Sequence, residues 1–220
     1  MLRKAILFIF VSCTILLLLL TFPKKDTLTA AFLITDKPTA IVRGTNGSAL
    51  TVNISFGDEP IKKWIHQLEK PYPLLFIDLS WAERFPEITQ LIQEKKIPIG
   101  LLGYEGKLYE SDENLLEQQI ERYEKLFDDK PLWFRTSDEV FPDVLHARLL
   151  NEKINALGST IHWSSGKTPP KTEGEIIAVS IHQKNQFNVA DFKRLTDERD
   201  FITLEEVLFG PVGKTKKIPK

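Results

Sequence analysis

The sequence predicts an α/β domain built around a parallel β-sheet. Short apolar runs typical of buried strands alternate with longer segments in which apolar residues recur at helical spacing. About seven such strands are interleaved with helices, and this alternation is typical of parallel sheets. The pattern leaves two architectures open, an open doubly wound sheet and a closed barrel. In both, ligands bind at the carboxyl ends of the strands.

The first elements are predicted from their apolar patterns. Residues 50–54 alternate apolar and polar side chains with the period of two that indicates a strand. Residues 74–77 form a continuous apolar run, as expected for a strand buried on both faces. Pro86 favours the start of a helix, and residues 97–102 are predicted to form the next strand.

The second half of the chain repeats the alternation. Ser111 is a candidate N-cap for a helix that extends to Phe127, with acidic residues in its first turn. The remaining predicted elements are strand 132–135, helix 142–157 closed by Gly158, strands 159–163 and 175–182, helix 189–194, and a short strand 201–203 before residues 204–208.

Composition excludes several classes of protein. With 220 residues, 42% hydrophobic and 27% charged, the chain is neither collagen-like, nor low-complexity, nor disulfide-rich. A net charge of −1 argues against nucleic-acid binding, which needs a concentrated basic surface. The first strand is not followed by a G-x-G-x-x-G pattern, so a dinucleotide-binding role is unsupported.

The amino-terminal segment predicts a membrane anchor. Residues 5–22, which begin at Ala5 and end at Phe22, carry no charge and are flanked by basic residues. A helix of this length reaches across the ~30 Å hydrocarbon layer. The basic start predicts a single-pass protein of the cell membrane with its body extracytoplasmic. A cleaved signal peptide, which would leave a secreted protein, is the alternative.

The rest of the chain is predicted to be one folded domain between a stalk and a tail. The only cysteine lies within the apolar segment, so the body relies on its core rather than on disulfides. The predicted boundaries are 1–25 for the anchor, 26–46 for the stalk, 47–210 for the domain and 211–220 for a basic C-terminal tail.

Four separated motifs give the body a family resemblance. Residues 50–57 read L-T-V-N-I-S-F-G, 81–87 read W-A-E-R-F-P-E, 101–109 read L-L-G-Y-E-G-K-L-Y, and 135–137 read R-T-S. They resemble L-T-F-D-I-S-W-G, W-A-E-x-H-P-E, S-H-G-Y-x-H-K-x-Y and R-P-P of the polysaccharide deacetylases of the NodB-homology type, most closely the sporulation-associated branch. The resemblance extends from about residue 40 to residue 208 and implies a distorted (β/α) barrel of about seven strands.

The resemblance also implies a chemistry that this chain has lost. Active relatives remove acetyl groups from N-acetylated sugars, using a divalent metal and a carboxylate base. The base position is Asn53, whose amide cannot accept a proton at neutral pH. The positions of the metal ligands are Ile54, Leu102 and Gly106. We therefore expect neither a metal nor another cofactor, and we expect Leu102 to plug the mouth, the carboxyl-terminal end of the barrel.

Other family positions are altered as well. Arg135 is kept, but Thr136 and Ser137 replace the two prolines after it. The family's late histidine aligns with Ser180, while His182 lies two residues further along the same face of the predicted strand. His182 is therefore either a shifted replacement or an ordinary histidine at a strand end.

Two further sets of residues could contact a ligand. Carboxylates near strand ends could cluster around calcium or magnesium, or be separate solvated loop residues: Asp58, Glu59, Asp78, Asp138 and Glu139. Tryptophans could stack on sugar rings, although the apolar surroundings of the second and third predict core positions: Trp64, Trp81, Trp133 and Trp163.

Three functional hypotheses follow. The first is a membrane-tethered, catalytically degenerate deacetylase-like protein that binds cell-wall or spore-envelope carbohydrate. The second is an active N-deacetylase with rearranged residues and a divalent metal, for which the mouth candidates are Asn53, Asp58, Arg135, Asp138 and His182. The third is a module that binds a protein partner.

Overall fold

The computed structural model describes Ile34, residues 37–181 and residues 189–210. The predicted anchor at 1–25, His182 and the tail at 211–220 lie outside these ranges. Within them, no helix combines the length and apolarity needed to cross a membrane.

The centre of the described domain is a parallel sheet of seven strands. Their order across the sheet is β5-β4-β3-β2-β1-β7-β6, and every pair of neighbours runs parallel. The sheet curls into a half-barrel of the α/β NodB-like type. The strands are β1 (Ser48–Ile54), β2 (Leu74–Ile77), β3 (Ile99–Leu102), β4 (Trp133–Arg135), β5 (Asn155–Ala156), β6 (Ile161–Trp163) and β7 (Glu175–Ile181).

Helices occupy the connections from β1 to β5, and further helices follow β7. Asp78 begins the second helix, where its carboxylate accepts a hydrogen bond from the Trp81 backbone N–H. Thr203 and Glu206 form a reciprocal capping box at the start of the last one. The helices are α1 (Glu59–Gln67), α2 (Leu79–Arg84), α3 (Pro86–Glu94), α4 (Leu108–Ser111), α5 (Leu115–Phe127), α6 (Asp143–Asn151), α7 (Val189–Asp197) and α8 (Leu204–Phe209).

Both faces of β1 are buried. Its alternation of apolar and polar residues therefore does not mark one face as exposed to solvent. Leu50, Val52 and Ile54 belong to the hydrophobic core. Thr51 and Asn53 on the other face are buried as well, and both contact Arg135 from β4. Two strands separate β4 from β1 in the sheet, so this contact spans the concave interior.

Three predicted elements are corrected by the structure. The predicted helix 142–157 is wrong beyond Asn151, because Lys153 adopts a left-handed φ of 58° and Asn155–Ala156 then pairs with β4 as β5. The predicted strand 201–203 is reduced to one bridge between Ile202 and Ala49. Ser111 is the last residue of α4, and Asn114 takes the N-cap position of α5. The sequence thus missed β5 and predicted a strand at 201–203 that does not form, so the predicted number of strands still agrees with the structure.

The tryptophans belong to the core rather than to a sugar-binding surface. The prediction for Trp81 and Trp133 is confirmed, and Trp64 and Trp163 are buried as well, each at 6% exposure or less. Trp64 packs edge-on against Phe192 of α7, with 5.1 Å between ring centroids. Stacking of these four rings on a sugar is therefore ruled out in this conformation.

The end of the predicted stalk contacts the sheet. Ile41 forms a parallel bridge with Leu157, next to β5. The Val42 carbonyl accepts a hydrogen bond from Thr160 before β6, and the Gly44 N–H donates to the Gly174 carbonyl before β7. This segment therefore covers the gap between the two edge strands.

Candidate functional site

Arg135 lies at the centre of the half-barrel, fully buried at the end of β4. Its Nη1 donates to Thr51 Oγ1 at 2.8 Å and to Asn53 Oδ1 at 3.1 Å. Nε and Nη2 donate to the carbonyls of Leu157 and Gly158, both at 2.9 Å. The guanidinium is therefore surrounded by acceptors without any ligand.

Burial and one acidic neighbour act in opposite directions on this cation. Burial lowers the pKa of Arg135 to about 10, and the nearby charge of Glu139 opposes that decrease. Glu139 Oε1 lies 3.4 Å from Arg135 Nε. Arg135 is consequently still charged at neutral pH, and its charge faces the interior.

Asn53 connects Arg135 to β7. Its Oδ1 accepts from Arg135, and its Nδ2 donates to Ser180 Oγ at 3.1 Å. Asn53 and Ser180 are partners in the parallel ladder, so their side chains lie on the same face. The residues that the resemblance aligns with the base and the late histidine therefore stand side by side, as an amide and a hydroxyl.

The three metal-ligand positions do not fit a divalent metal. Ile54 and Leu102 offer no donor atom, and both are buried. A Cβ added to Gly106 would lie 2.1 Å from the Val140 carbonyl oxygen, so this position has no room for a histidine in the present conformation. Across the described ranges, no group of three or more His, Cys, Asp or Glu residues could hold a metal ion.

The two aspartates among the predicted site residues serve different purposes. Asp138 Oδ1 accepts from the backbone N–H of Gly106 at 3.0 Å and of Val140 at 3.2 Å. Asp58 precedes α1 and is exposed, without a side-chain cap bond. The structure thus brings together Asn53 and Arg135 and uses Asp138 to hold backbone, while His182 lies outside the described residues.

Of the two alternatives for the five carboxylates near strand ends, the structure does not show the calcium or magnesium cluster, since it brings no three of them together. Asp78 caps α2, Glu59 pairs with Lys62, Asp138 holds the loop after β4, and Glu139 faces Arg135. Four of these carboxylates are thus engaged by nearby groups, and the fifth, Asp58, is exposed.

Sequence reasoning missed a polar pair beside Arg135. Glu139 Oε2 accepts from Ser159 N at 2.7 Å and Oγ at 2.9 Å, and its Oε1 lies 2.9 Å from His162 Nε2. Burial alone would raise the pKa of Glu139, but His162, Arg135 and Ser159 together hold it below the usual range. Glu139 also adopts a left-handed φ of 54°, an uncommon conformation for a side-chain-bearing residue.

A groove of about 740 Å³ lies at the other end of the sheet. Leu50 and Pro73, near the amino-terminal ends of β1 and β2, contribute to its lining, together with Trp64, Tyr72 and Phe192. In parallel α/β sheets, ligands bind at the carboxyl ends, so Asn53, Arg135 and Ser180 define the candidate site.

The curled parallel sheet has the fold of the CE4 polysaccharide deacetylases, as the motifs predicted. The chain is similar to a CE4 family pseudoenzyme from Bacillus anthracis, with 16% identity and a TM-score of 0.64 over 79% of this chain and 70% of that chain. It is also similar to PdaA of Bacillus subtilis, a family 4 carbohydrate esterase, with 11% identity and a TM-score of 0.63 over 84% and 89%.

A third similar structure is the chitin deacetylase of the fungal pathogen Colletotrichum lindemuthianum, with 14% identity and a TM-score of 0.61 over 79% and 93%. No protein-family model and no curated protein matches the sequence. At these identities the likeness establishes the fold, and the assignment to the sporulation-associated branch stays a prediction.

The ionised carboxylate of Glu139 is expected to stabilise the fold above its pKa. We expect Glu139→Gln to lower the free energy of unfolding by about 1–3 kcal/mol at pH 7, because a buried charge-assisted hydrogen-bond network is weakened. Since the pKa of Glu139 is lowered from 4.5, this difference should shrink as the pH falls below 4.5 and the wild-type carboxylate is protonated.

Urea unfolding at pH 7 and at several lower pH values measures this difference. Glu105→Gln is the control, because Glu105 is an exposed carboxylate paired with Lys107. A Glu139→Gln effect of equal size at every pH would show that its charge is not the stabilising feature.

Proposed function

We propose that this chain is a CE4-type, polysaccharide deacetylase-like protein that has lost its deacetylase chemistry and binds cell-wall or spore-envelope carbohydrate at its mouth. The observation that carries the proposal is the contact between Arg135 and the amide oxygen of Asn53. At the position of the base, the arginine holds a group that cannot take a proton from water.

The metal positions support the same conclusion. Ile54 and Leu102 supply no electron pair to a metal, and Gly106 has no space for a ligand. Without such ligands, the amide carbonyl of a substrate would not be polarised and the attacking water would not be activated. Base and metal functions are therefore missing together, while the fold and Arg135 are retained.

Binding of carbohydrate is supported by the fold and by what the mouth exposes. A chitin deacetylase is among the similar structures. At the carboxyl end of β1, Phe56 is 44% exposed, and Tyr104 is half-buried after β3. The Ser180 hydroxyl is half-buried beside Asn53. An aromatic face beside a half-buried hydroxyl suits a ligand that carries both C–H faces and hydroxyls.

We also propose that residues 5–22 anchor the protein in the cell membrane with its body outside. The support is the uncharged, leucine-rich sequence between basic flanks. The full chain should remain with membranes after alkaline carbonate extraction. The Leu16→Lys, Leu18→Lys double variant should be released by the same treatment. Release of the wild-type chain by carbonate would refute the anchor.

An active N-deacetylase with rearranged residues is the second candidate, and one observation favours it. His162 is exposed and its Nε2 faces the partly buried carboxylate of Glu139, an arrangement that orients a histidine as a base. This candidate requires acetate release that is lost in His162→Gln.

Restoring the base alone is expected to leave the protein inactive. The full chain and its Asn53→Asp variant should both release no acetate from chitin oligosaccharides or peptidoglycan with added zinc or cobalt, because the three ligand positions are unchanged. A CE4 deacetylase assayed in parallel is the positive control. Release by the wild-type chain would contradict the proposal, and release by Asn53→Asp alone would show that the metal positions still function.

The exposed aromatic residue at the mouth gives a binding test. Phe56→Ala should weaken binding to insoluble peptidoglycan or chitin about three- to tenfold, since an aromatic contact contributes about 0.5–1.5 kcal/mol. Co-sedimentation at a series of polymer amounts gives the apparent Kd.

Phe209→Ala is the matched control, because Phe209 is an aromatic residue that is 65% exposed at the end of α8. Val207 of the same helix packs near Gly44, before the start of β1 and therefore away from the mouth. Equal loss of binding in the two variants would place the binding surface elsewhere. If the wild-type chain binds neither polymer but captures a protein partner, the partner-binding hypothesis is favoured.

A further inference from the structure

The loop after β4, residues 136–142, is held by two unusual hydrogen bonds; we refer to it as the mouth loop. Thr136 is buried, and its hydroxyl donates to the Val140 carbonyl at 3.1 Å. The Ser137 backbone N–H donates to the Tyr104 carbonyl at 3.1 Å. The first bond folds the loop back on itself, and the second attaches it to the segment after β3.

The carbonyl that Thr136 holds is the atom that fills the space beside Gly106. A Cβ at Gly106 would lie 2.1 Å from the Val140 oxygen, 2.8 Å from its carbonyl carbon and 3.1 Å from Pro142 Cδ. These neighbours are backbone or ring atoms, so they cannot yield by a change of rotamer. Room for a side chain at Gly106 therefore requires the mouth loop to move.

Both donors belong to residues that stand where the family motif has proline. A proline at position 136 would have no hydroxyl, and a proline at position 137 would have no N–H. Neither bond could then form. The present position of the Val140 carbonyl consequently depends on the same two substitutions that break the R-P-P motif.

We propose that Thr136, Ser137 and Gly106 form one coupled unit, in which the mouth loop occupies with its own backbone the space that a ligand side chain at position 106 would need. This deepens the proposed function and rests on it only for the identity of position 106 as a metal-ligand position.

Two carboxylates reinforce this arrangement. Asp138 accepts from the backbone N–H of both Gly106 and Val140, which joins the two segments directly. Glu139 attaches the middle of the loop to Ser159 and His162 on the far side of the gap between the edge strands. The mouth loop is thereby attached on both of its sides, and the half-buried Ser180 of β7 is left to face a ligand.

A double-mutant cycle on the full chain tests the coupling. Gly106→Ala should reduce the equilibrium constant for folding by about tenfold or more in the wild-type background. In the Thr136→Pro, Ser137→Pro background the same change should cost about threefold or less, because two of the bonds that hold the loop beside Gly106 are removed; residues in contact couple on this scale. Urea unfolding of the four proteins measures the cycle.

Gly44→Ala is the matched control. Its Cβ would lie 2.4 Å from the Val207 carbonyl oxygen, a clash of the same kind beside α8. Its cost should be equal in the two backgrounds, since distant sites add. Equal costs for Gly106→Ala in both backgrounds would overturn the proposal.

A second measurement covers the case in which Gly106→Ala does not fold. In the single variants Thr136→Val and Ser137→Pro, the Gly106 and Val140 amides should exchange their hydrogens with solvent at least about tenfold faster, because the loop opens more often. Unchanged exchange would also overturn the proposal. Neither measurement depends on acetate release or carbohydrate binding, so failure of the proposed function would be recognised separately.

Discussion

The buried charge of Arg135 is the constraint on which the interior of this half-barrel depends. A guanidinium removed from water costs several kcal/mol unless acceptors surround it. The acceptors come from β1 and from the β5–β6 connection, and the mouth loop adds the nearby carboxylate of Glu139. These elements are far apart in sequence, so satisfying one cation requires the sheet to curl and its edges to approach. The same cation therefore fixes the shape of the mouth and the orientation of Asn53.

The buried charge of Arg135 also explains why an amide, Asn53, can occupy the position that the resemblance aligns with the base. Arg135 needs an oxygen from position 53, and Asn53 Oδ1 supplies it without a charge. The negative charge that a carboxylate would have brought is provided instead by Glu139, 3.4 Å from Arg135 Nε. Glu139 thus balances the charge of Arg135, while position 53 carries a group that accepts a hydrogen bond but not a proton. Stability is retained by the mouth loop, whereas the atom that would have activated water is absent.

The sequence predicted those parts of the structure that depend on local patterns. The apolar runs of β2 and β3 identified two strands, and the motifs placed Asn53 and Arg135 at one site, where they are in contact. β5 was missed because two residues at a sheet edge carry too little pattern to distinguish them from the end of a helix. The Glu139–His162 contact joins residues on different elements, and nothing local marks either as the partner of the other. The contact between Gly106 and Val140 depends on loop conformation, which no spacing rule reveals.

In the proposed function, the deacetylase chemistry is lost for three independent physical causes. Asn53 lacks the required proton affinity, Ile54 and Leu102 lack donor atoms, and Gly106 lacks space. The first cause is chemical and confined to one side chain. The second cause depends on burial, since a polar side chain in place of Ile54 or Leu102 would be buried without other polar partners. The third belongs to the backbone, because the mouth loop itself fills the site. A single substitution can reverse only the first cause, whereas the interior is held together by the polar network around Arg135.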